Sequence, residues 1–278
     1  MVVLAIILSR VSLGEVAGRA VEGSPLFLAA AMALALLSFV VAALRWRLVA
    51  RCLGVVVPMG LAVRAQFVGM FGGQVLPSGI GVDVFRGWMI SKHASGMPRV
   101  VVGLMADRLV ALLAACLLAL PALAGLLGPT AVPAAAGLLL GPVAVLASAG
   151  ALFALLWGPS RKDDTVADPG AIGLAVTMGL SIHATVVMMA VLAAKAYGVD
   201  ASLTLWLSVI PVSIIASAIP VSLNGWGVRE AAIVVLAAPL GVPTAEALLV
   251  SVTLGVLTML ASLPGALVLL EGRGRDLA

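Results

Sequence analysis

The stretch Gln74-Val75-Leu76-Pro77-Ser78-Gly79-Ile80-Gly81-Val82-Asp83-Val84-Phe85-Arg86-Gly87 interrupts an otherwise oily chain. Pro77 and its glycines break a helix, while Asp83 and Arg86, three residues apart, share one face of whatever helix resumes. The other half repeats the recipe in Pro220-Val221-Ser222-Leu223-Asn224-Gly225-Trp226-Gly227-Val228-Arg229-Glu230. The reading is that these two breaks form one site.

What surrounds them is set by composition. Of 278 residues, 63% are hydrophobic and 10% charged, where a soluble domain carries about 25% charged residues. With a mean hydropathy of +1.25, the chain has the bilayer as its solvent. A net charge of +4 fits the Lys/Arg excess of cytoplasmic loops. No basic patch is interleaved with aromatics, so nucleic acid is not an expected partner. Cys52, Cys116, His93 and His183 stand apart from one another, which leaves a disulfide framework, a zinc site or another cofactor unsupported. Residues 1–9 lack a basic n-region and read as the tail of a first helix rather than a cleavable signal.

Residues 26–44 are an apolar run of about 20 residues, enough for one span. Arg45-Trp46-Arg47, Arg51 and Arg64 follow without an acidic neighbour, which marks a cytoplasmic connection with Trp46 at the interface. Trp157 and Trp206 read as further interface anchors, and Trp88 and Trp226 as lining a cavity beside the breaks. Residues 61–92 and 203–240 are too interrupted to cross as single helices and read as re-entrant hairpins. With spans at 100–127, 132–157 (kinked at Gly141-Pro142), 171–194 and 247–270, the expected fold is an all-α polytopic membrane protein. It has about six spanning helices plus two re-entrant broken-helix hairpins. Eight spans is the alternative, because 203–219 approaches span length. Residues 1–278 form one transmembrane domain of the cell (inner) membrane with both termini cytoplasmic. The halves 26–127 and 171–270 follow the same order of span, hairpin, span in opposite directions, the arrangement of inverted repeats.

A broken helix in lipid exposes backbone N–H groups that, with the half-helix dipole, attract anions. Arg86 and Arg229 each follow a break, and a guanidinium fork matches phosphate oxygens. Asp83, Glu230, Asp107, Arg108, Ser78 and Asn224 complete the candidate substrate-binding set. The plainer reading makes Asp83–Arg86 and Arg229–Glu230 internal salt bridges, with Asp107 and Arg108 turned toward the hairpins. In it, Ser78, Ser222 and Asn224 are local backbone caps, His183 is a satisfied hydrogen-bonding histidine, and Glu246 and Lys195 mark helix ends. Charges cost a few kcal/mol each inside a membrane, which favours function. No HExxH, GxSxG, Ser/His/Asp spacing or P-loop is present, so no catalytic residue is named and ATP-driven transport by this chain is unsupported.

Taken in order, Ala43-Leu44-Arg45-Trp46-Arg47, Leu76 to Arg86, Asp107-Arg108-Leu109 and Pro220 to Glu230 resemble the membrane region of lysylphosphatidylglycerol synthases, a family often called flippase-like. Ser78-Gly79-Ile80-Gly81 departs from the Gly-Gly pair that relatives often show before the Asp. In the synthases this membrane domain moves aminoacylated phosphatidylglycerol between leaflets, and a separate soluble domain makes it. These 278 residues contain no such soluble domain. The resemblance therefore implies a translocase for an anionic phospholipid or lipid-linked head group rather than an enzyme. A membrane-embedded lipid-modifying enzyme and a non-transporting partner subunit are the alternatives. The protein partners left open are a second copy of the chain and a lipid-synthesising enzyme.

Overall fold

The computed structural model describes residues 18–74, 76, 80–91, 97–127, 169–218 and 224–275. Within them the chain forms helices α1 (Pro25–Cys52), α2 (Met59–Gly72), α3 (Ile80–Ser91), α4 (Met97–Leu127), α5 (Pro169–Ala196), α6 (Leu203–Ser217), α7 (Val228–Ala237), α8 (Thr244–Ser262) and α9 (Pro264–Arg275), and no strand. Stretches 25–52, 97–120, 169–196 and 244–271 are each long and apolar enough to cross a membrane. The protein is a multi-pass membrane protein. Large apolar side chains lie on its surface: Leu26, Val235 and Leu270 are 74, 67 and 65% exposed. The expected tail of a first helix at 1–9, the expected span 132–157, Gly141-Pro142 and Trp157 lie outside the described residues.

The two halves use one local grammar. Both α1 and α5 are 28 residues long and open on a proline, where the missing N–H would have had no helical partner. Each ends in the same left-handed cap. Gly54 and Gly198 sit at φ 76 and 67, and Val55 and Val199 donate to the carbonyls of Ala50 and Ala194, both at 2.9 Å. These are Schellman closures, which satisfy the last helical carbonyls. Ser24 N donates to Ala196 O at 2.9 Å, tying the start of α1 to the end of α5. The two helices therefore run antiparallel, and they make the most extensive contact among the described helices. Buried Ala31, Ala35, Ala190, Ala193 and Ala194 let them approach closely.

The remaining packing is symmetric under exchange of the halves. α2 packs on α3 as α6 does on α7, and α1 on α2 as α5 on α6. α3 meets α4 as α7 meets α8, and α4 crosses α1, α5 and α6 where the α8–α9 rod crosses α5, α1 and α2. That rod is nearly continuous, with Leu263 helical at φ −54 and ψ −33 ahead of Pro264.

Between the long helices sit the two short pairs. α2 and α3 have 14 and 12 residues, and α6 and α7 have 15 and 10. At 1.5 Å per residue none exceeds about 23 Å, against ~30 Å of hydrocarbon. Gly72 lies under the Phe85 ring with no room for a Cβ, so α2 and α3 close tightly at the break. The first pair leaves from the end of the bundle where α1 stops, the second from the end where α5 stops. Because α1 and α5 are antiparallel, the pairs start from opposite ends of the bundle.

Three sequence readings need correction. The first span does not stop at residue 44: α1 carries Arg45, Trp46 and Arg47 on to Cys52. Trp46 is 1% exposed, not an interface anchor, because it packs in the core of the first hairpin with Ala62, Ile90 and Leu104. Trp206 is likewise buried, at 0% exposure, in the main core rather than at an interface.

Candidate functional site

Five charged side chains from three helices form an unbroken chain of ion pairs. Arg45 Nε and Nη2 donate to the two carboxylate oxygens of Asp107 at 2.8 and 3.2 Å. Arg86 bridges Asp107 at 3.3 Å and Asp83 at 2.6 Å, and its Nη1 also donates to Gln66 Oε1 at 3.0 Å. Arg108 Nε closes the far end on Asp83 Oδ2. The order is Arg45–Asp107–Arg86–Asp83–Arg108. Burial grades along it: the side chains of Arg45, Asp107 and Arg86 are 7, 3 and 6% exposed, those of Asp83 and Arg108 16 and 27%. The Arg86 guanidinium also stands 5.7 Å from the centroid of Trp46, a cation–π contact.

The helices explain the convergence. Asp83 and Arg86 are one turn apart on α3 and share a face. Asp107 and Arg108 are adjacent on α4, so one points toward α1 and the other along α3. Arg108 lies eleven residues into α4 from Met97, about 16 Å from that end.

The second hairpin carries a smaller cluster. Arg229 Nη2 and Nε donate to Glu230 Oε1 at 2.5 and 3.0 Å. Glu230, 0% exposed, also accepts from Gly227 N at 2.5 Å and Ser251 Oγ at 3.4 Å. Its bond to Gly227 caps α7 in the manner of an N3 glutamate. Arg229 stacks 4.8 Å from the Trp226 ring, and both sit over Gly255, where a Cβ would come within 2.6 Å of Trp226 Cη2. Gly255 is eleven residues into α8 from Thr244, again about 16 Å from its own end. Arg108 and Gly255 thus lie at the same distance from the start of their own helices.

The breaks themselves meet. Asn224 Nδ2 donates to Gln74 Oε1 at 2.8 Å, and Gln74 Nε2 reaches back to Met70 O at 3.3 Å. Asn224 holds φ 44, a left-handed value that Asn tolerates better than most residues. The sequence suggested a local backbone cap at Asn224; among the described residues its side chain instead links the two breaks. Among the described residues no hydrogen bond or ion pair joins Arg86 to Arg229; each belongs to the cluster of its own hairpin. Ser78 and Ser222 lie outside the described residues. His183 Nε2 is 2.8 Å from Ala111 O, while its buried Nδ1 has no partner among the described residues.

Sequence reasoning missed Arg45, Gln66, Ser251 and Gly255. Arg45 was assigned to a loop because two more arginines follow it. Gln66 had a readable signal, as the one uncharged polar side chain with an amide in the apolar run from 61 to 70.

The family model for the lysylphosphatidylglycerol synthase TM region matches residues 1–265. The chain belongs to this family. Comparison with curated proteins gives no match. As a member of the lysylphosphatidylglycerol synthase TM-region family with four apolar span-length helices, it is a membrane protein of lipid metabolism or transport.

Proposed function

We propose that the protein is a lipid translocase that moves an anionic phospholipid or lipid-linked head group between leaflets. In this reading the two short helix pairs are re-entrant hairpins and the halves are inverted repeats. The membrane is the cell (inner) membrane, with both termini on its cytoplasmic side. The observation that carries it is the meeting of the two breaks through Gln74 and Asn224, with a charged cluster on each side. Helices too short to cross, entering from opposite ends, create a polar level at mid-depth that neither end reaches alone. Discontinuous helices with charges at the midplane are how many transporters hold a polar substrate inside lipid.

The head group works at that level while its acyl chains remain in lipid. The phosphate is taken by arginines of the two hairpins and their flanking helices, namely Arg86, Arg108 and Arg229. Asp83, Asp107 and Glu230 hold those arginines in place, and Ser78 and Asn224 supply polar groups at the breaks. A guanidinium held by carboxylates keeps its orientation as the head group passes, so little reorganisation accompanies binding.

The test is reconstitution of purified protein into liposomes with fluorescently labelled phosphatidylglycerol, following leaflet exchange by a membrane-impermeant quencher. Wild type should accelerate exchange and Arg86→Ala should abolish it, with the folded fraction of the variant checked by size exclusion. Absence of exchange for every anionic lipid tried would sink the translocase. Chemical conversion of the lipid would point to the enzyme instead.

A further inference from the structure

The five-residue chain of ion pairs does not balance. Arg45, Arg86 and Arg108 carry three positive charges, and Asp107 and Asp83 carry two negative ones. The second hairpin cannot supply the difference, because Glu230 is already matched by Arg229. Hydrogen bonding shows the same deficit. Three guanidinium groups bring only donors, and among the described residues their side-chain acceptors are two carboxylates and the Gln66 carbonyl. Two buried donors in this cluster, Arg86 Nε and Trp46 Nε1, have no acceptor among the described residues. Trp46 lies against Arg86 itself. In a medium of low dielectric, both an uncompensated charge and an unmet donor are costly.

We infer that the cluster is the binding site for one phosphate-type monoanion per chain, seated at the Arg108–Asp83 end of the network. Arg108 is the most exposed member, with 27% of its side chain accessible. Like Arg45 it meets one carboxylate, but among the described residues it does so through Nε alone, whereas Arg45 grips both oxygens of Asp107 and Arg86 spans two carboxylates. Arg86 has both Nη atoms engaged by Asp83, Asp107 and Gln66. It acts as a positioning residue that fixes Asp83, and through Asp83 it fixes Arg108. This rests on the translocase reading for its physiological ligand and narrows that reading from Arg86, Arg108 and Arg229 together to the Arg108 end of one network. The site is also asymmetric. The pseudo-equivalent position on α8 is Gly255, eleven residues into its helix as Arg108 is into α4. The second half therefore holds a matched pair and makes no comparable demand for an anion.

A consequence distinguishes this from a purely structural role. Arg108→Gln leaves two arginines facing two aspartates, a balanced set in which Asp83 keeps its bond to Arg86. The variant should therefore fold as well as wild type while losing the anion. The experiment uses the full chain in nanodiscs of phosphatidylcholine, with and without phosphatidylglycerol. Bound lipid is counted by native mass spectrometry and stability is read by thermal unfolding. A parallel arm in phosphatidylcholine alone adds inorganic phosphate, which separates a lipid head group from a free phosphate as the source. Arg51→Gln, which removes an exposed charge near the end of α1, controls for generic electrostatics.

Wild type and Arg51→Gln should retain one phosphatidylglycerol per chain and gain thermal stability from it. Arg108→Gln should match wild-type stability in phosphatidylcholine alone, bind phosphatidylglycerol at least tenfold more weakly and lose the gain. Arg108→Lys, which keeps the charge but not the fork, should fall between them. Undiminished binding by Arg108→Gln overturns the inference, and so does its unfolding in phosphatidylcholine. Stabilisation by inorganic phosphate equal to that by the lipid overturns the assignment to a head group. Leaflet exchange measured on the same samples separates the two readings. Arg108-dependent binding without exchange removes the translocase and leaves the site, and exchange indifferent to Arg108 removes the site and leaves the translocase.

Discussion

Replacing Asp107 by Asn tests the central claim that the first cluster is an electrostatic unit. Asp107 is 2% exposed. Its carboxylate lies 2.8 and 3.2 Å from Arg45 nitrogens and 3.3 and 3.4 Å from those of Arg86. Asn keeps the shape and one acceptor oxygen, so packing is unchanged and the charge alone is lost. The cluster then holds three arginines against Asp83, and two guanidinium groups face each other across a neutral amide. Breaking a buried pair by removing one partner costs about 3–5 kcal/mol, and the retained amide oxygen places this case near 3. For a chain of this size that corresponds to roughly 6–12 °C in Tm, taking about 2–4 °C per kcal/mol. The assay is thermal unfolding in detergent, followed by tryptophan fluorescence with Trp46 as the local reporter. Adding Arg45→Gln restores the original charge balance, so the double variant should recover about 1 kcal/mol or more over the sum of the single changes. An Asp107→Asn protein within about 1 kcal/mol of wild type would show that the charges are not coupled, and the network reading would fall with it.

Three further outcomes follow from particular contacts. Gly255→Ala places a methyl against Trp226 and Arg229; the displaced arginine leaves Glu230 buried and unpaired, so a loss of about 2 kcal/mol or more and of lipid exchange is expected, and an unaffected variant would show that this contact is slack. Asn224→Gly should be tolerated better than Asn224→Ala by about 1 kcal/mol in thermal unfolding, because φ 44 suits glycine and strains alanine; the reverse order would mean that the Gln74 link outweighs backbone strain. Single cysteines at Val56 and Asp200, one in each connection between a long helix and its hairpin, should label from opposite sides of oriented vesicles in a Cys52→Ser, Cys116→Ala background, the first from the cytoplasmic side; labelling from one side would remove the inverted-repeat reading.

Much of the architecture is visible before any coordinates. Clustered glycine and proline interrupt helices, so the two interrupted segments at 61–92 and 203–240 declare themselves, and apolar run length bounds the long helices between them. The Asp83–Arg86 and Arg229–Glu230 pairs are local in sequence, and their contacts follow from helical geometry. What stayed hidden is the class of contact made across helices. Arg45 looked like a loop charge because sequence shows its neighbours Trp46 and Arg47 but not Asp107, its partner 62 positions away. Trp46 and Trp206 were placed at interfaces because aromatic residues favour them, a preference that core packing overrode in both cases.

The sequence alone determined that the chain lives in lipid, that two of its helical segments break, and that each break carries opposite charges. Those are consequences of composition and of backbone chemistry within a few residues. Only the tertiary structure decided which charges share a cluster, that the two breaks touch through Gln74 and Asn224, and that the first cluster holds one arginine more than its carboxylates can match. Such pairings depend on the antiparallel crossing of α1 and α5, which starts the two short helix pairs from opposite ends of the bundle. That crossing rests on close approach of small side chains spread along two helices 144 positions apart, a relation between distant surfaces that local propensity does not encode.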